Sequence, residues 1–369
     1  MRFALIRRPG FVSFSAVLIF LAPSATPTAA SADSGIASRY PGDKSIGSDP
    51  DVILADDFES YTSVSQLTTN WTGAQHTENM SMATASDKVF AGAKAIQISL
   101  PVSSAEPGAG LIKKFPNAPL DALFVRIYEK WDANYNVSGS NHNGIHISGG
   151  TLPGPGIPAP ADGTGFFIFL LQNNIQGRAG ETDPGYDHVY AYWPKQRTNY
   201  GDHWFPDGWV VPGGQGNWLL DPALYPDFRA MPNHLPQRGK WYCYEFMVRV
   251  NTPGKNDGEL KWWVDGKLTA DLPDLNFRSI PSLKIDNASV ILGANQTTQI
   301  TTKWYDNIVM AKSYIGPMAS ASPTPTPTPT VSPSLTQGLK NISTRGTVQK
   351  ATAYWSAASY YKEMRRKRC

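Results

Sequence analysis

The stretch that decides the fold is GKWYCYEFMVRVNTPGKNDGELKWWVDGKL, residues 239–268. From Tyr242 to Val250, one set of aromatic and aliphatic residues alternates with a second set, which is the two-residue period of a β-strand. Asn251–Gly258 is rich in Asn, Pro, Gly and Asp, so a turn is predicted there. A second alternating run follows and ends in Asp265-Gly266, a two-residue hairpin signal. The stretch therefore predicts antiparallel strands joined by turns.

The composition of the whole chain favours the same class of fold. The 369 residues include 11 Trp, 32 Gly and 30 Pro, and 17% are charged, which suits many short strands better than helices. Further strand-like runs follow one another between residues 51 and 316, and no amphipathic helix of useful length interrupts them. We therefore expect an all-β fold over residues 51–316, a jelly-roll sandwich of two antiparallel sheets.

The segments outside this domain differ in composition. Residues 1–32 combine early arginines, an apolar run and Ala30-Ser31-Ala32, the pattern of a secretory signal peptide, so a secreted, bacterial protein is predicted. Residues 33–50 are predicted to be a flexible lead-in, and residues 317–338 a Pro/Thr-rich linker. Residues 339–369 are interpreted as a truncated C-terminal segment that is frameshifted from about Lys350.

Charge, hydropathy and cysteine content exclude several classes of protein. The formal net charge of +3 is carried by the two ends of the chain, and the part between them is net acidic, so net charge does not favour nucleic-acid binding. No segment after the signal peptide approaches the roughly 20 apolar residues of a membrane span. Cys243 lies in a strand pattern and Cys369 ends the chain, so no structural disulfide is predicted. A monomer is expected.

Two strands carry polar side chains on a shared face. In the run 142–148, His142 and His146 point to one side and the isoleucines to the other. In Tyr186–Trp193, the shared face holds His188, Tyr190 and Tyr192. Such a face is typical of a ligand groove. Tyrosines on a strand are more often packing or sugar-stacking surface, and a histidine on a strand is more often a structural residue.

Basic residues lie near these strands in the sequence. Arg126 shares a polar, aromatic face on the run Leu123–Trp131, and Lys195 and Arg197 follow the tyrosine strand. They are candidates to bind an anionic ligand. Solvent exposure explains all three equally well.

Several stretches together resemble polysaccharide lyase family 14, which includes alginate and related uronan lyases. They are the 239–268 stretch, Tyr190-Ala191-Tyr192 with the following Pro194, Asn276-Phe277-Arg278, Lys284-Ile285-Asp286 and WYDNIVM at 304–310. The resemblance covers residues 51–315. It implies a concanavalin A-like jelly roll with a cleft on its concave face, and cleavage of polyuronates by β-elimination without a metal or other cofactor.

The resemblance also implies roles for individual residues. β-Elimination needs a base for the C5 proton, an acid for the leaving oxygen and a group that neutralises the carboxylate. Tyr190 and Tyr192 match the paired tyrosines of the family, and with His146 they are the catalytic candidates. A tyrosinate base requires a nearby cation. The candidates for substrate binding are His142, Asn143, Arg126, Lys195, Arg197 and His188, and no metal ligands are predicted.

The sequence departs from the family at two places. The family's Gly-Gly-Lys segment appears here as Asn143-Gly144-Ile145-His146, without a lysine. Its Ser-x-Arg falls on Phe167-Ile168-Phe169. Two expected cations and a hydroxyl group are therefore missing, and either the substrate differs or the cleft does not catalyse.

Three functions consequently stay open. The first is a secreted polysaccharide lyase-like enzyme that acts on an acidic, uronic-acid glycan. The second is a non-catalytic carbohydrate-binding or adhesion module on the same sandwich. The third, a jelly-roll glycoside hydrolase, requires two carboxylates that flank one glycosidic bond, and no strand pattern supplies them.

Overall fold

The computed structural model describes residues 34–136, 138–154, 156–175, 181–213 and 229–320, without the side chains of residues 138–141. The predicted signal peptide, the linker beyond residue 320 and the C-terminal segment lie outside these ranges. The helices in them are short 3₁₀ turns: Ile36–Arg39, Pro41–Asp43, Ile46–Ser48, Val64–Thr69, Thr77–Asn79 and Ser86–Lys88. None of these described helices is long and apolar enough to cross a membrane.

The strands carry the architecture. They are β1 (Val52–Asp56), β2 (Gly73–Gln75), β3 (Met80–Ala83), β4 (Ala95–Leu100), β5 (Gly108–Lys114), β6 (Ala122–Trp131), β7 (Ser138–Gly150), β8 (Phe166–Asn173), β9 (Asp187–Tyr192), β10 (Asp202–Trp204), β11 (Val210–Val211), β12 (Trp241–Arg249), β13 (Gly258–Val264), β14 (Lys267–Leu275), β15 (Asn287–Gln296) and β16 (Thr301–Ala311).

These strands form two antiparallel sheets of eight. Sheet A has the order β14-β13-β12-β6-β16-β4-β3, with β1 also paired to β16. Sheet B has the order β11-β10-β9-β8-β7-β15-β5-β2. Consecutive strands pair in parts of both sheets, whereas β6 with β16 and β7 with β15 join distant parts of the chain. One apolar core lies between the sheets. The predicted all-β jelly-roll sandwich is confirmed.

The hairpin of residues 239–268 forms as its sequence predicts. β12 pairs with β13, and Phe246 lies opposite Trp262 in the core. Burying side chains of this size stabilises a fold by about 1.5–3 kcal/mol each. The turn to β14 places Asp265 at φ 50° and Gly266 at φ 76°, the left-handed conformations that a tight hairpin turn requires. Cys243 is buried in β12 with a free thiol.

The predicted flexible lead-in is wrong for its described residues, 34–50. Ile36 and Ile46 are 2% and 3% exposed and pack with Met247 of β12. Asp43 forms an ion pair with Arg126 of β6. The segment is therefore part of the fold, because it covers apolar and charged groups on the face of sheet A that is turned away from the core.

The long Pro/Gly/Trp-rich segment 200–238 begins by extending sheet B. β10 pairs with β9, and β11 pairs with β10. Trp204 of β10 is buried in the core between the sheets. Residues 214–228 lie outside the described ranges.

Candidate functional site

A cavity of about 240 Å³ opens on the face of sheet B that is turned away from the core. Its polar lining residues are His142 and His146 from β7 and Tyr190 and Tyr192 from β9. The loop after β7 contributes to one wall. The predicted set of two histidines and two tyrosines therefore does meet in one place.

The rest of the cavity lining is mainly apolar. The β8 side chains Phe166, Ile168 and Leu170 lie between the histidines and the tyrosines, and Ile291 of β15 and Leu152 of the loop complete it. β8 is buried over its whole length, as its doubly apolar sequence predicts. Its alternate residues face the core and the cavity, so the strand gives the cavity a hydrophobic floor.

Strand register explains why these side chains converge. His146 of β7 lies opposite Leu170 of β8, which in turn lies opposite Tyr190 of β9. One step along, Ile168 lies opposite Tyr192. Residues opposite each other across antiparallel strands point to the same face. The three-strand row therefore sets the histidine and tyrosine on either side of an aliphatic residue.

The two tyrosines form a hydrogen-bonded pair. The Gly201 amide donates to the Tyr190 hydroxyl (3.1 Å), which donates to the Tyr192 hydroxyl (3.3 Å). Their rings meet edge to face with centroids 5.4 Å apart. Burial raises the pKa of Tyr190, and its hydrogen bond to Tyr192 raises it further. Tyr190 is therefore a neutral phenol at physiological pH, and the geometry does not support it as a tyrosinate base.

His146 presents one ring nitrogen without a protein partner. Its Nδ1 lies 3.1 Å from Oγ of Ser289 on β15. Its Nε2 is buried and has no hydrogen-bond partner among the described residues. Burial, together with the charge of nearby His142, lowers the pKa of His146 to about 4. The imidazole is thus uncharged at neutral pH, and when Nδ1 carries the proton, Nε2 can accept one.

His142 belongs to a row of hydrogen bonds behind the cavity. Its Nδ1 lies 3.1 Å from Oε1 of Gln172, whose Nε2 lies 3.1 Å from Nε2 of His188. The Tyr186 carbonyl, 2.9 Å from Nδ1 of His188, can only accept, so that nitrogen carries the proton. The Gln172 amide then donates to His188 and accepts from His142. This order leaves Nε2 of His142 unprotonated, and burial lowers the pKa of His142.

His203 and Gln172 are site residues that the sequence analysis missed. Nδ1 of His203 lies 3.0 Å from Nε2 of His188, and its ring centroid lies 4.7 Å from that of Tyr190. His142 stacks on Tyr190, with centroids 5.1 Å apart. The only signal for His203 is the short run Asp202–Trp204 within a Pro/Gly-rich segment. His188 itself is fully buried and supports the site without lining it.

Two predicted substrate-binding residues lie elsewhere. Asn143 follows His142 on β7, so its side chain faces the core, where its Oδ1 accepts from Nζ of Lys303 (2.7 Å). Arg126 belongs to sheet A and is fully buried with Asp43. These two predictions are wrong, because the alternation of β7 and the pairing of β6 turn both side chains away from the cavity.

The two basic residues after β9 are also not part of the cavity lining. Lys195 is exposed. Nη1 of Arg197 lies 3.5 Å from Oδ2 of buried Asp202, a carboxylate that also accepts from Nε1 of Trp193 (2.9 Å). The cations proposed to lower a tyrosine pKa are therefore not among the residues that line the cavity.

Phe167 and Phe169, which stand where polysaccharide lyase family 14 has its Ser-x-Arg, do not lie on the face of β8 that lines the cavity. Phe167 and Phe169 are fully buried in the core, whereas Phe166, Ile168 and Leu170 face the cavity. A shift of one residue along a strand reverses the face. The structural equivalents of the serine and arginine are therefore apolar in either register.

No group of three or more His, Cys, Asp or Glu side chains in the described part of the chain is placed to hold a metal ion.

Solved structures with a similar fold include polysaccharide lyases of low sequence identity. The alginate lyase Aly36B is 15% identical, with a TM-score of 0.49, over 72% of this chain and 98% of that one. The PL-14 alginate lyase from Aplysia kurodai is 16% identical, with a TM-score of 0.46, over 68% and 94%. The endo-β-1,4-glucuronan lyase from Trichoderma reesei is 12% identical, with a TM-score of 0.42, over 71% and 96%.

With identities and TM-scores this low, the similarity assigns neither a family nor an activity to this chain. No protein-family model and no curated protein matched the sequence.

Proposed function

We propose that this protein is a polysaccharide lyase that cleaves a uronic-acid glycan by β-elimination in the sheet B cavity. The observation that carries the proposal is the convergence of His146, Tyr190 and Tyr192 on one cavity of about 240 Å³. The sequence stretches that resemble polysaccharide lyase family 14 support the same reaction. The resemblance supports a role for the tyrosines, and the hydrogen bonds of the three residues support different roles for each of them.

In the proposed mechanism, His146 is the base and Tyr192 the acid. Nε2 of His146 is buried without a partner and takes the C5 proton. The electron pair of the C5–H bond forms the C4–C5 double bond, and the C4–O4 bond breaks. The Tyr192 hydroxyl gives its proton to O4, and the proton on His146 then returns to Tyr192 through solvent. General acid–base groups placed in this way contribute about 10²–10⁴-fold each.

Tyr190 and His142 position this pair. Tyr190 donates a hydrogen bond to the Tyr192 hydroxyl and thereby fixes the position of that oxygen. The proton of Tyr192 can then point into the cavity. His142 stacks on the Tyr190 ring and is held by Gln172. Both are therefore positioning residues rather than groups that exchange protons with the glycan.

A second candidate function is a non-catalytic carbohydrate-binding module. The aromatic and aliphatic lining favours it, because apolar faces of sugar rings stack on such surfaces. In this function the two tyrosines bind the glycan and His146 is a structural residue.

Product formation separates the two candidates. The purified protein is incubated with alginate, glucuronan and other uronic-acid polymers, each as the free acid and as the alkyl ester, and the ultraviolet absorbance of the unsaturated product is followed. The lyase predicts a rise with at least one polymer and its loss in His146→Gln. Glycan binding by calorimetry without product from any polymer overturns the lyase and leaves the binding module.

We further propose that the protein is exported through residues 1–32, acts as a monomer, and carries the sandwich ahead of the Pro/Thr-rich linker. The signal-like and linker-like sequences support this proposal. Mass spectrometry of the secreted protein, with an N-terminus near residue 33, is the corresponding test.

A further inference from the structure

The described residues that line the cavity are all uncharged at neutral pH. Its floor is made of Phe166, Ile168 and Leu170, and Leu152 and Ile291 add further aliphatic surface. Both histidines that line it have a pKa lowered by burial. A carboxylate brought into such surroundings loses its hydration without gaining an opposite charge, which costs several kcal/mol.

We infer that the uronic acid at the cleaved bond enters this cavity as an alkyl ester rather than as a free carboxylate. The inference rests on the proposed lyase function and specifies its substrate. An esterified carboxyl group is neutral, and its alkyl group fits the aliphatic walls. Apolar surface removed from water in this way contributes about 25 cal/mol per Å².

The electron balance of the reaction leads to the same substrate. When the C5–H bond of a free uronate breaks, the electron pair joins a group that is already negative, and a dianion forms. When the same bond breaks in an ester, the pair moves onto a neutral carbonyl, and a monoanionic enolate forms. Charge interactions are strongest where the dielectric constant is low, so the dianion is the far costlier species in a hydrophobic cavity.

The base in the site agrees with this assignment. His146 is a neutral imidazole that is difficult to protonate because of its burial, and such a base needs an acidic C–H bond. The proton at C5 is more acidic beside an ester than beside a carboxylate, because the resulting anion carries one charge instead of two. The electron pair of the C5–H bond moves through the enolate into the C4–C5 double bond. The electron pair of the C4–O4 bond leaves with O4, which Tyr192 protonates.

The decisive experiment compares matched polymers that differ only in esterification. Glucuronan, polygalacturonate and alginate are each assayed as free acid and as alkyl ester, at slightly acidic pH and with enzyme-free blanks, because esters also eliminate spontaneously in alkali. We expect kcat/KM for at least one ester to exceed that of its acid by about tenfold or more, equivalent to about 1.4 kcal/mol. Equal rates or a preference for the acid overturn the inference and leave the proposed lyase intact. Product from neither form overturns the lyase, and this inference with it.

A charge introduced at the cavity provides a second, independent measurement. Leu152 lines the cavity and is 42% exposed, so Leu152→Lys places an ammonium group there without burying it. We expect the ratio of acid to ester cleavage to rise by about tenfold, since a partly screened ammonium group attracts the carboxylate of the acid and not the neutral ester. Leu152→Gln, of similar length and uncharged, is the matched control for the lost aliphatic surface, and the rise in Leu152→Lys is measured against it. An unchanged ratio in Leu152→Lys contradicts the inference, and both variants are checked for a wild-type thermal transition.

Discussion

The Tyr190 hydroxyl donates a hydrogen bond to the Tyr192 hydroxyl across 3.3 Å, from the next cavity-facing position of the same strand. Tyr190 also accepts from the Gly201 amide, so its proton and one lone pair are both engaged. Tyr192 accepts the hydrogen bond, and its own O–H has no acceptor among the residues that the structure describes. The pair is therefore asymmetric, and only Tyr192 has a proton to give to a ligand.

This asymmetry predicts different outcomes for the two phenylalanine variants. Tyr192→Phe removes the proton donor, so we expect product formation to fall by about 10²–10⁴-fold with little change in the thermal transition. Tyr190→Phe leaves the buried Gly201 amide without its acceptor, so we expect a loss of about 1–3 kcal/mol in the free energy of unfolding and a smaller loss of rate. Steady-state kinetics and urea unfolding measure both. Full activity in Tyr192→Phe would refute the assignment.

The low pKa of His146 predicts that activity is lost only at acidic pH, near 4. Because burial lowers that pKa to about 4, kcat/KM is expected to be level near neutrality and to fall as the pH drops through about 4. His146→Gln removes the base, so near neutrality it lowers the rate by about 10²–10⁴-fold, and the limb near pH 4 disappears. Ser289→Ala, which removes only the partner of Nδ1, is the control for ring orientation and should lose less. An acid limb near 6.5 in the wild type would contradict the buried neutral imidazole.

The same histidine predicts the direction of a stability change with pH. Its pKa is about 4 in the folded chain, against 6.5 for a free imidazole side chain, so between these values the unfolded chain binds more protons. Stability is therefore present above about pH 6.5 and is lost as the pH falls toward 4, by at most about 3 kcal/mol. Urea unfolding at several pH values should show a smaller loss in His146→Gln. Equal slopes in both proteins would contradict the shift.

The hairpin, the histidine pair of β7 and the tyrosine pair of β9 could be predicted from the sequence, because they depend only on the alternation of side chains along a strand. Residues 239–268 specify two strands and a turn by themselves, and the two-residue period alone places His142 with His146 and Tyr190 with Tyr192. Which strands become neighbours depends on pairings across long stretches of chain. Ser289 reaches His146 only because β15 lies beside β7, and no local pattern encodes that contact.

The incorrect assignments have a related physical cause. A strand pattern shows which residues share a face, and it does not show what that face meets. The polar face of β6 is expected from its sequence to contact solvent or substrate. Residues 34–50 cover it instead and bury Arg126 with Asp43. The same ambiguity affects Asn143, whose partner Lys303 is distant in sequence.

The Arg126 ion pair predicts that the segment 34–50 supports the fold. Asp43→Ala leaves the guanidinium buried without its carboxylate, so we expect the free energy of unfolding to fall by about 3–5 kcal/mol. Lys44→Ala changes the next, exposed residue and should stay within about 0.5 kcal/mol of wild type. Chemical unfolding of both variants measures the difference. If the two variants are equally stable, the segment is a lead-in without a structural role.

His234 is expected to titrate in the opposite direction to the cavity histidines. Burial alone would lower its pKa, but the hydrogen bond from its Nδ1 to Asp187 (2.7 Å) and the charge of Asp187 raise it above 6.5. Asp187 is fully buried and also accepts from the Tyr244 hydroxyl (2.9 Å). In NMR titrations of the imidazole resonances, His234 should therefore stay protonated to a higher pH than His142 or His146.

Asp187→Asn tests the cause of this shift. The amide oxygen can still accept from Nδ1, but the negative charge is gone and the burial remains, so the pKa of His234 should fall below 6.5. The sign of the stability effect follows from the raised folded pKa. The ion pair stabilises the wild type fully below the unfolded pKa, and this contribution is lost as the pH rises through the folded pKa. A His234 that titrates below 6.5 in the wild type, or is unaffected by Asp187→Asn, would show that the carboxylate does not hold the proton there.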